Sequence, residues 1–224
     1  MGYYPILLDL EGKTALVVGA GRVAQRKIEA LMLCGAEIHI IGKKLTPKLK
    51  ELVDIGQIRH IGDAFEEAHL EDAFVVIAAT DDPAVNHHIS GRAKKKGLLV
   101  NAVDQPSDCN FIVPSVVRRG DLLIAISTSG KSPTLARRIR EGMETQFGEA
   151  YATFLVLMGR IRKRVLSKGF SQEENRRIFH ALVDSDILEA MAREDWEEMV
   201  SILSGIFPGD ESELQDILAG LGAN

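Results

Sequence analysis

Three groups of residues in this chain have the types and spacing to do chemistry. The first is Gly19-Ala20-Gly21-Arg22-Val23-Ala24, which fits the spacing G-x-G-x-x-G/A between a strand pattern and a helix pattern. Gly19 permits a tight turn, Gly21 lets the backbone approach a pyrophosphate, and Ala24 lets the helix pack close to the sheet. The helix start then offers free N–H groups and a positive dipole end to phosphates. In this context the motif implies dinucleotide binding, where the bare alternative is a ligand-free turn between strand and helix. The second group is a lone acid, Asp104, directly after the apolar run ending in Ala102-Val103. Ligands of open α/β sheets bind outside the carboxyl ends of the strands, so a carboxylate there faces the expected nicotinamide region. The alternative for Asp104 is a turn former. The third group is basic: Arg118, Arg119, Lys131, Arg137, Arg138 and Arg140. Such a run is commonly a solvated face. Arginines also fork carboxylates in a bidentate way, so the cluster equally suits a substrate bearing several carboxylates.

Other candidates carry less. Asp81 and Asp82 read as cap residues. His87 and His88 have no partners at metal-ligand spacing, and no metal site is expected. Cys34 and Cys109 form no CxxC or Cys/His set and read as free thiols of a reducing compartment. One expected feature is missing. The acid that usually binds the adenosine ribose at the end of the second strand is replaced by Ile41-Gly42-Lys43-Lys44. Glu37 is at about the right spacing but lies at that strand's start. The two lysines suit a 2′-phosphate or plain solvation, so NAD and NADP both stay open.

The elements that must position these groups follow from hydrophobic periodicity. Strands are predicted at Thr14–Val18, Glu37–Ile41, Gln57–Ile61, Ala73–Ala79 and Leu98–Val103, with a helix over Val23–Leu33 and another opened by Asp82-Pro83. Strands alternating with helices predict a parallel, doubly wound α/β sheet. After Asp104 the pattern changes. Phe111–Arg118 and Asp121–Ser127 flank Arg119-Gly120 as a hairpin, and Ser132-Pro133 caps a helix reaching about Phe147. From Gly148 onward the pattern is helical, with a capping box at Ser171 and Glu174. The acidic tail after Pro208 is expected to fray. The domain expectation is therefore a Rossmann-like domain over 1–113, a hairpin–helix dimerisation region over 114–147 and a helical domain over 148–224.

Composition narrows the class. The chain has 224 residues, a formal net charge of −5 and 46% hydrophobic residues. That is enough apolar chain for a core, and the mildly acidic balance argues against a nucleic-acid surface built on bulk charge. The start, Met1-Gly2-Tyr3-Tyr4-Pro5, lacks a basic stretch and long apolar run, and Ile6 stands where a myristoylation signal wants Ser or Thr. No run approaches the about 20 residues that span a bilayer. A cytoplasmic protein without membrane contact is expected.

These residues resemble the precorrin-2 dehydrogenase family, which includes the N-terminal part of sirohaem synthase. The resemblance runs through Tyr3-Tyr4-Pro5-Ile6, Val17–Lys27, Ile77–Asp82, Val100–Asp104, Phe111–Ser115 and Ser129–Arg137. It implies NAD-dependent oxidation of precorrin-2 to sirohydrochlorin and a homodimer whose second domain helps build each active site. Asp104 falls on the carboxylate the family is thought to use. Arg22, Val23, Lys43 and Lys44 fall on its cofactor contacts, and Thr80 is expected to join Gly19, Gly21 and Ala24 there. Arg118, Arg119, Lys131 and Arg137 are the expected substrate contacts. Family members vary at the end of strand two, so the missing acid does not exclude NAD. Some relatives also insert iron, so a combined dehydrogenase and ferrochelatase is one alternative. A dinucleotide-sensing subunit without catalysis is the other.

Overall fold

The computed structural model describes residues 2–221 of the chain. It divides into two compact units, Met1–Val113 and Pro114–Asn224.

The first unit is a Rossmann-like sheet. Its strands are β1 (Thr14–Val18), β2 (Glu37–Ile41), β3 (Arg59–Gly62), β4 (Val75–Ala78) and β5 (Leu99–Ala102). They run parallel in the order β3-β2-β1-β4-β5. The chain therefore winds outward in one direction from β1 to β3, then restarts beside β1 with β4. That reversal leaves a crevice at the carboxyl ends of β1 and β4. Helices α1 (Arg22–Met32) and α2 (Pro47–Asp54) bury Ala24, Ile28, Leu49 and Leu52 on one face, against Val17, Ile38, Ile40 and Ile77. Helix α3 (Pro83–Lys95) buries Ile89 and Ala93 on the other face, against Leu16, Val76 and Val100. Because both faces are covered, the central strands β1 and β4 are near-continuous apolar runs, whereas the edge strand β3 is polar and partly exposed.

Helix α2 was not foreseen from periodicity, although its start signal is local. The Thr46 hydroxyl accepts a bond from the Leu49 N–H at 3.2 Å, and Pro47 takes the first helical position. Strand β3 begins two residues later than expected.

The second unit opens with the antiparallel pair β6 (Ser115–Arg119) and β7 (Leu122–Ile126), followed by α4 (Pro133–Gln146). The turn needs Gly120, whose φ is 54° and whose absent Cβ would meet Ala152 at 3.1 Å. Strand β6 starts only at Ser115. Pro114 has no N–H to give a ladder, and Phe111–Pro114 stay outside it. Five further helices come next: α5 (Ala150–Ser167), α6 (Gln172–Val183), α7 (Ile187–Ala192), α8 (Trp196–Ile206) and α9 (Glu211–Leu218). Leu157, Ile161, Leu182, Met199 and Leu203 form the centre of their core.

The expectation that the acidic tail frays is corrected up to residue 221, and its last three residues lie outside those described. Asp210 accepts the Glu213 N–H at 2.9 Å as an N-cap, and the acids of the first turn face the positive dipole end. Leu214 and Ile217 reach the core, and Arg160 donates to the carbonyls of Ile217 and Ala219 at 2.8 and 2.7 Å. Leu214→Ala should therefore destabilise the second unit by about 2–5 kcal/mol in urea denaturation. A loss no larger than a surface substitution would mean that α9 is not part of that core.

Candidate functional site

The site begins where β1 ends. Gly19 has φ +116°, and a Cβ there would lie 2.1 Å from the Ala79 carbonyl oxygen. Only glycine fits both the angle and the space. Around Gly21 the opposite holds. A Cβ would meet nothing within 4 Å, so the outer face of the turn is open to a ligand. Helix α1 starts directly behind it, with no acid in its first turn to neutralise the dipole or its free N–H groups. Ala24 is fully buried and lets α1 sit close to the sheet. An open glycine face at an uncompensated helix start is what a pyrophosphate requires.

A cleft of about 1000 Å³ rises from this turn. Its floor is Gly19-Ala20-Gly21. One wall is Lys43 and Lys44 after β2 with Asp63–Phe65 after β3, and the other is Thr80–Asp82 after β4. Ala84, Val85 and His88 of α3 close it, and the Phe65 and His88 rings meet edge to face at 6.3 Å. The volume suits a dinucleotide-sized ligand. The structure thus brings together Gly19, Gly21, Lys43, Lys44 and Thr80. Arg22 and Val23 are exposed on the first turn of α1, and neither lines the cleft.

Asn86 was not singled out from sequence, yet it holds the β4 side of the cleft. It is buried, and its Oδ1 accepts from the Thr80 N–H at 3.1 Å and from the Thr80 hydroxyl at 2.8 Å. Its Nδ2 donates to the Thr80 carbonyl at 3.0 Å. Glu67, on the cleft's edge, is bonded by Arg92, which holds its carboxyl below the usual range.

Asp104 is not a wall of this cleft. It lies exposed on the loop after β5, with φ +59°, and makes no hydrogen bond among the described residues. A non-glycine residue in that region costs roughly 1–3 kcal/mol and persists only when its surroundings impose it. The surroundings here are explicit. Gln105 Nε2 donates to the Pro83 carbonyl at 3.0 Å. The buried Asp108 carboxylate sits 2.9 Å from His87 Nδ1 through each oxygen, and Ser90 donates to the Asp108 carbonyl. Lys94 donates to the Ser107 carbonyl at 2.9 Å. Cys109 Sγ accepts the Ala102 N–H at 3.2 Å and lies 3.4 Å from the Gln105 carbonyl. The loop is pinned on every side of the strained acid. His87 and Cys109, which read from sequence as bland, are two of its pins.

One half-buried cation lies on α1. Burial lowers the pKa of Lys27, Arg26 adds to this, and Cys109 opposes it. Lys27 has no hydrogen-bond or ion-pair partner among the described residues.

The basic cluster belongs to the second unit, where glutamates engage much of it. Arg119 Nε lies 3.1 Å from Glu149, and Nη2 donates to the Glu144 carbonyl at 3.2 Å. Arg137 bonds Glu141 at 2.8 Å, which raises its own pKa and lowers that of Glu141. Arg140 bonds Glu144. The Arg137–Glu141 pair is exposed and screened by solvent, so it can open for another anion. Lys131 and Arg138 are exposed.

Comparison with known proteins agrees with this layout. A family model described as NAD(P)-binding matches residues 6–115, and one described as sirohaem biosynthesis protein central matches residues 119–146. Siroheme synthase of Sodalis glossinidius is 37% identical over 223 residues, covering 99% of this chain and 47% of the relative. Siroheme synthase 1 of Serratia proteamaculans is 41% identical over 179 residues, covering 80% of this chain and 38% of the relative. The chain thus spans less than half the length of these curated relatives. The solved structure of SirC, a precorrin-2 dehydrogenase, superposes with a TM-score of 0.76 at 29% identity, covering 91% of this chain and 98% of that one.

The packing of the site generates two expected outcomes. Asn86→Ala strands the Thr80 N–H and carbonyl, so it should cost about 1–3 kcal/mol in chemical denaturation and weaken dinucleotide binding by titration calorimetry. Unchanged binding would free Thr80 of a role in the cleft wall. For Lys27 the folded pKa lies below the ordinary value of 10.5. The unfolded chain therefore binds more protons between the two, and this group's contribution to stability rises with pH across that window. Lys27→Met should raise stability at neutral pH and flatten the alkaline limb of the stability–pH curve, while equal curves would show that the ammonium is not desolvated.

Proposed function

The chain belongs to the siroheme synthase family, whose NAD(P)-binding and sirohaem central segments it carries, and from this premise we propose that it oxidises precorrin-2 to sirohydrochlorin with NAD. The observation that carries the proposal is the pairing of an open glycine turn with a strained acid, unbonded among the described residues, on the β5 loop of the same sheet. The reaction removes two electrons and two protons from the macrocycle. A hydride, which a bound NAD would accept, and a proton, which needs a base, together account for both.

Bound NAD supplies the hydride acceptor. The chain's own residues do the rest. Gly19, Gly21 and the α1 N–H groups hold the pyrophosphate, and Thr80, fixed by Asn86, holds the wall beside it. Asp104 takes the proton at a carboxylate oxygen. Having no hydrogen-bond partner among the described residues, that carboxylate is ready to meet a proton from outside the chain. Its loop is braced, so the acid need not be ordered at the moment of reaction. Lys131, Arg118 and Arg137, with Arg119 in a more structural place, meet the substrate's carboxylates. We place the active species as a homodimer, supported by Leu135 and Ile139, which stand exposed one turn apart on α4.

No helix among the described residues is long and apolar enough to cross a membrane. The direct test is absorbance after mixing the full chain with precorrin-2 and NAD or NADP, with and without ferrous ion. Sirohydrochlorin formation without metal supports the dehydrogenase. Sirohaem formation with ferrous ion adds a chelatase. Dinucleotide binding with no spectral change would leave a sensing role instead. Asp104→Asn keeps a side chain that tolerates positive φ. It should cut turnover by about 10²–10⁴-fold, leaving the NAD Kd unchanged. Full turnover in that variant would remove Asp104 as the base.

A further inference from the structure

The position just beyond β2, where a dinucleotide fold usually carries its ribose-binding acid, cannot hold one here. That position is Gly42, and a Cβ on it would lie 2.7 Å from the Ala20 Cβ. The glycine turn leans so closely on the end of β2 that any side chain would displace it. The neighbouring strand offers a substitute. The β2–β3 ladder pairs Ile40 with His60 and then Ile41 with Gly62, so Ile61 is an extra residue. Such a bulge bends a strand and re-aims the residues beyond it. The ladder then continues past the strand ends: the Gly42 N–H donates to the Gly62 carbonyl at 3.0 Å, and His60 Nε2 donates to the Gly42 carbonyl at 3.0 Å. Both polar groups of Gly42 are thereby tied to β3. The next residue of that strand is Asp63, one strand spacing from Gly42, or about 4.8 Å. Asp63 lines the same cleft as Gly19 and Gly21, and its side chain is 70% exposed.

We propose that Asp63 takes the place of the missing β2 acid, accepting hydrogen bonds from the adenosine ribose hydroxyls and selecting NAD over NADP. Of the other acids of the cleft, Asp81 stands after β4, on the wall opposite β2 and β3. Glu67 is bonded by Arg92, and Asp82 caps α3 through the N–H groups of Ala84 and Val85. Lys43 and Lys44 are exposed on long stems and can serve the pyrophosphate of either dinucleotide. A 2′-phosphate, by contrast, would bring two negative charges against a fixed carboxylate.

The inference rests on the dinucleotide reading of the cleft, and the test separates the two. NAD and NADP are titrated calorimetrically into the full chain and into Asp63→Asn and Asp63→Ser, with thermal melting to confirm that each variant folds. The original chain should bind NAD more tightly than NADP. Each variant should weaken NAD binding by about tenfold or more, the worth of a hydrogen bond to a charged group, and leave NADP binding equal or tighter. Equal weakening of both dinucleotides, or a preference of the original chain for NADP, would overturn the role of Asp63 while leaving the dinucleotide site intact. Binding of neither dinucleotide to the original chain would overturn both readings.

Discussion

The first unit depends on how closely three strand ends approach one another. Gly19 at the end of β1 sits against the Ala79 carbonyl after β4, and Gly42 after β2 sits against Ala20. No side chain fits at either contact. The backbone of the turn is thus pressed between its two neighbours, and a second glycine, Gly21, is left facing open space. That one steric arrangement fixes where a phosphate can go, where α1 starts and which position beyond β2 must be bare. The energetic cost is conformational entropy at the glycines. The buried apolar runs of β1, β2 and β4 offset it, since each strand is covered on both faces.

Around that fixed turn the site separates binding from chemistry. The cleft walls come from loops held by side chains that never face solvent fully, as Asn86 holds Thr80. Asp104, the base we propose, stands on a different loop, where its strain is balanced by bonds from α3 and from Cys109. A residue at positive φ would relax if the loop were free to move. Anchoring to α3 at Pro83, His87, Ser90 and Lys94 prevents it. The same helix packs Ile89 and Ala93 into the sheet, so the acid is referenced to the core itself and not to a mobile surface.

Much of this was legible in the chain because its signals are local. The glycine turn, the Asp82-Pro83 start of α3 and the Ser171–Glu174 capping box are each written in a few neighbouring residues. The central strands β1 and β4 showed as apolar runs. Where reading failed, two reasons apply. Some local signals compete with composition. Thr46-Pro47 is a helix start passed over for want of a long periodic run, and the acidic residues after Pro208 suggest disorder until Asp210 is seen to cap α9. Other features depend on partners far along the chain. Asp108 is 21 residues from His87, and the Glu67–Arg92 pair spans 25. No spacing rule announces such contacts. The arginine cluster is a third case: its composition was plain, but not that Glu141, Glu144 and Glu149 would engage part of it.

The bulge in β3 shows why a motif should be read as a set of constraints and not as a string. A dinucleotide fold needs a tight turn, an open phosphate face and an acceptor near the ribose. In this chain the first requirement removes the usual means of meeting the third, because the close approach of Ala20 forbids a side chain at position 42. An acid one strand over can satisfy the need only if it reaches the right level. A parallel ladder without an irregularity would carry it one residue too far, level with Lys43. The extra Ile61 sets it back to the level of Gly42, and the two bonds between β3 and Gly42 hold it there. A backbone detail with no sequence signature of its own therefore decides which carboxylate stands level with Gly42, where we propose the ribose is met.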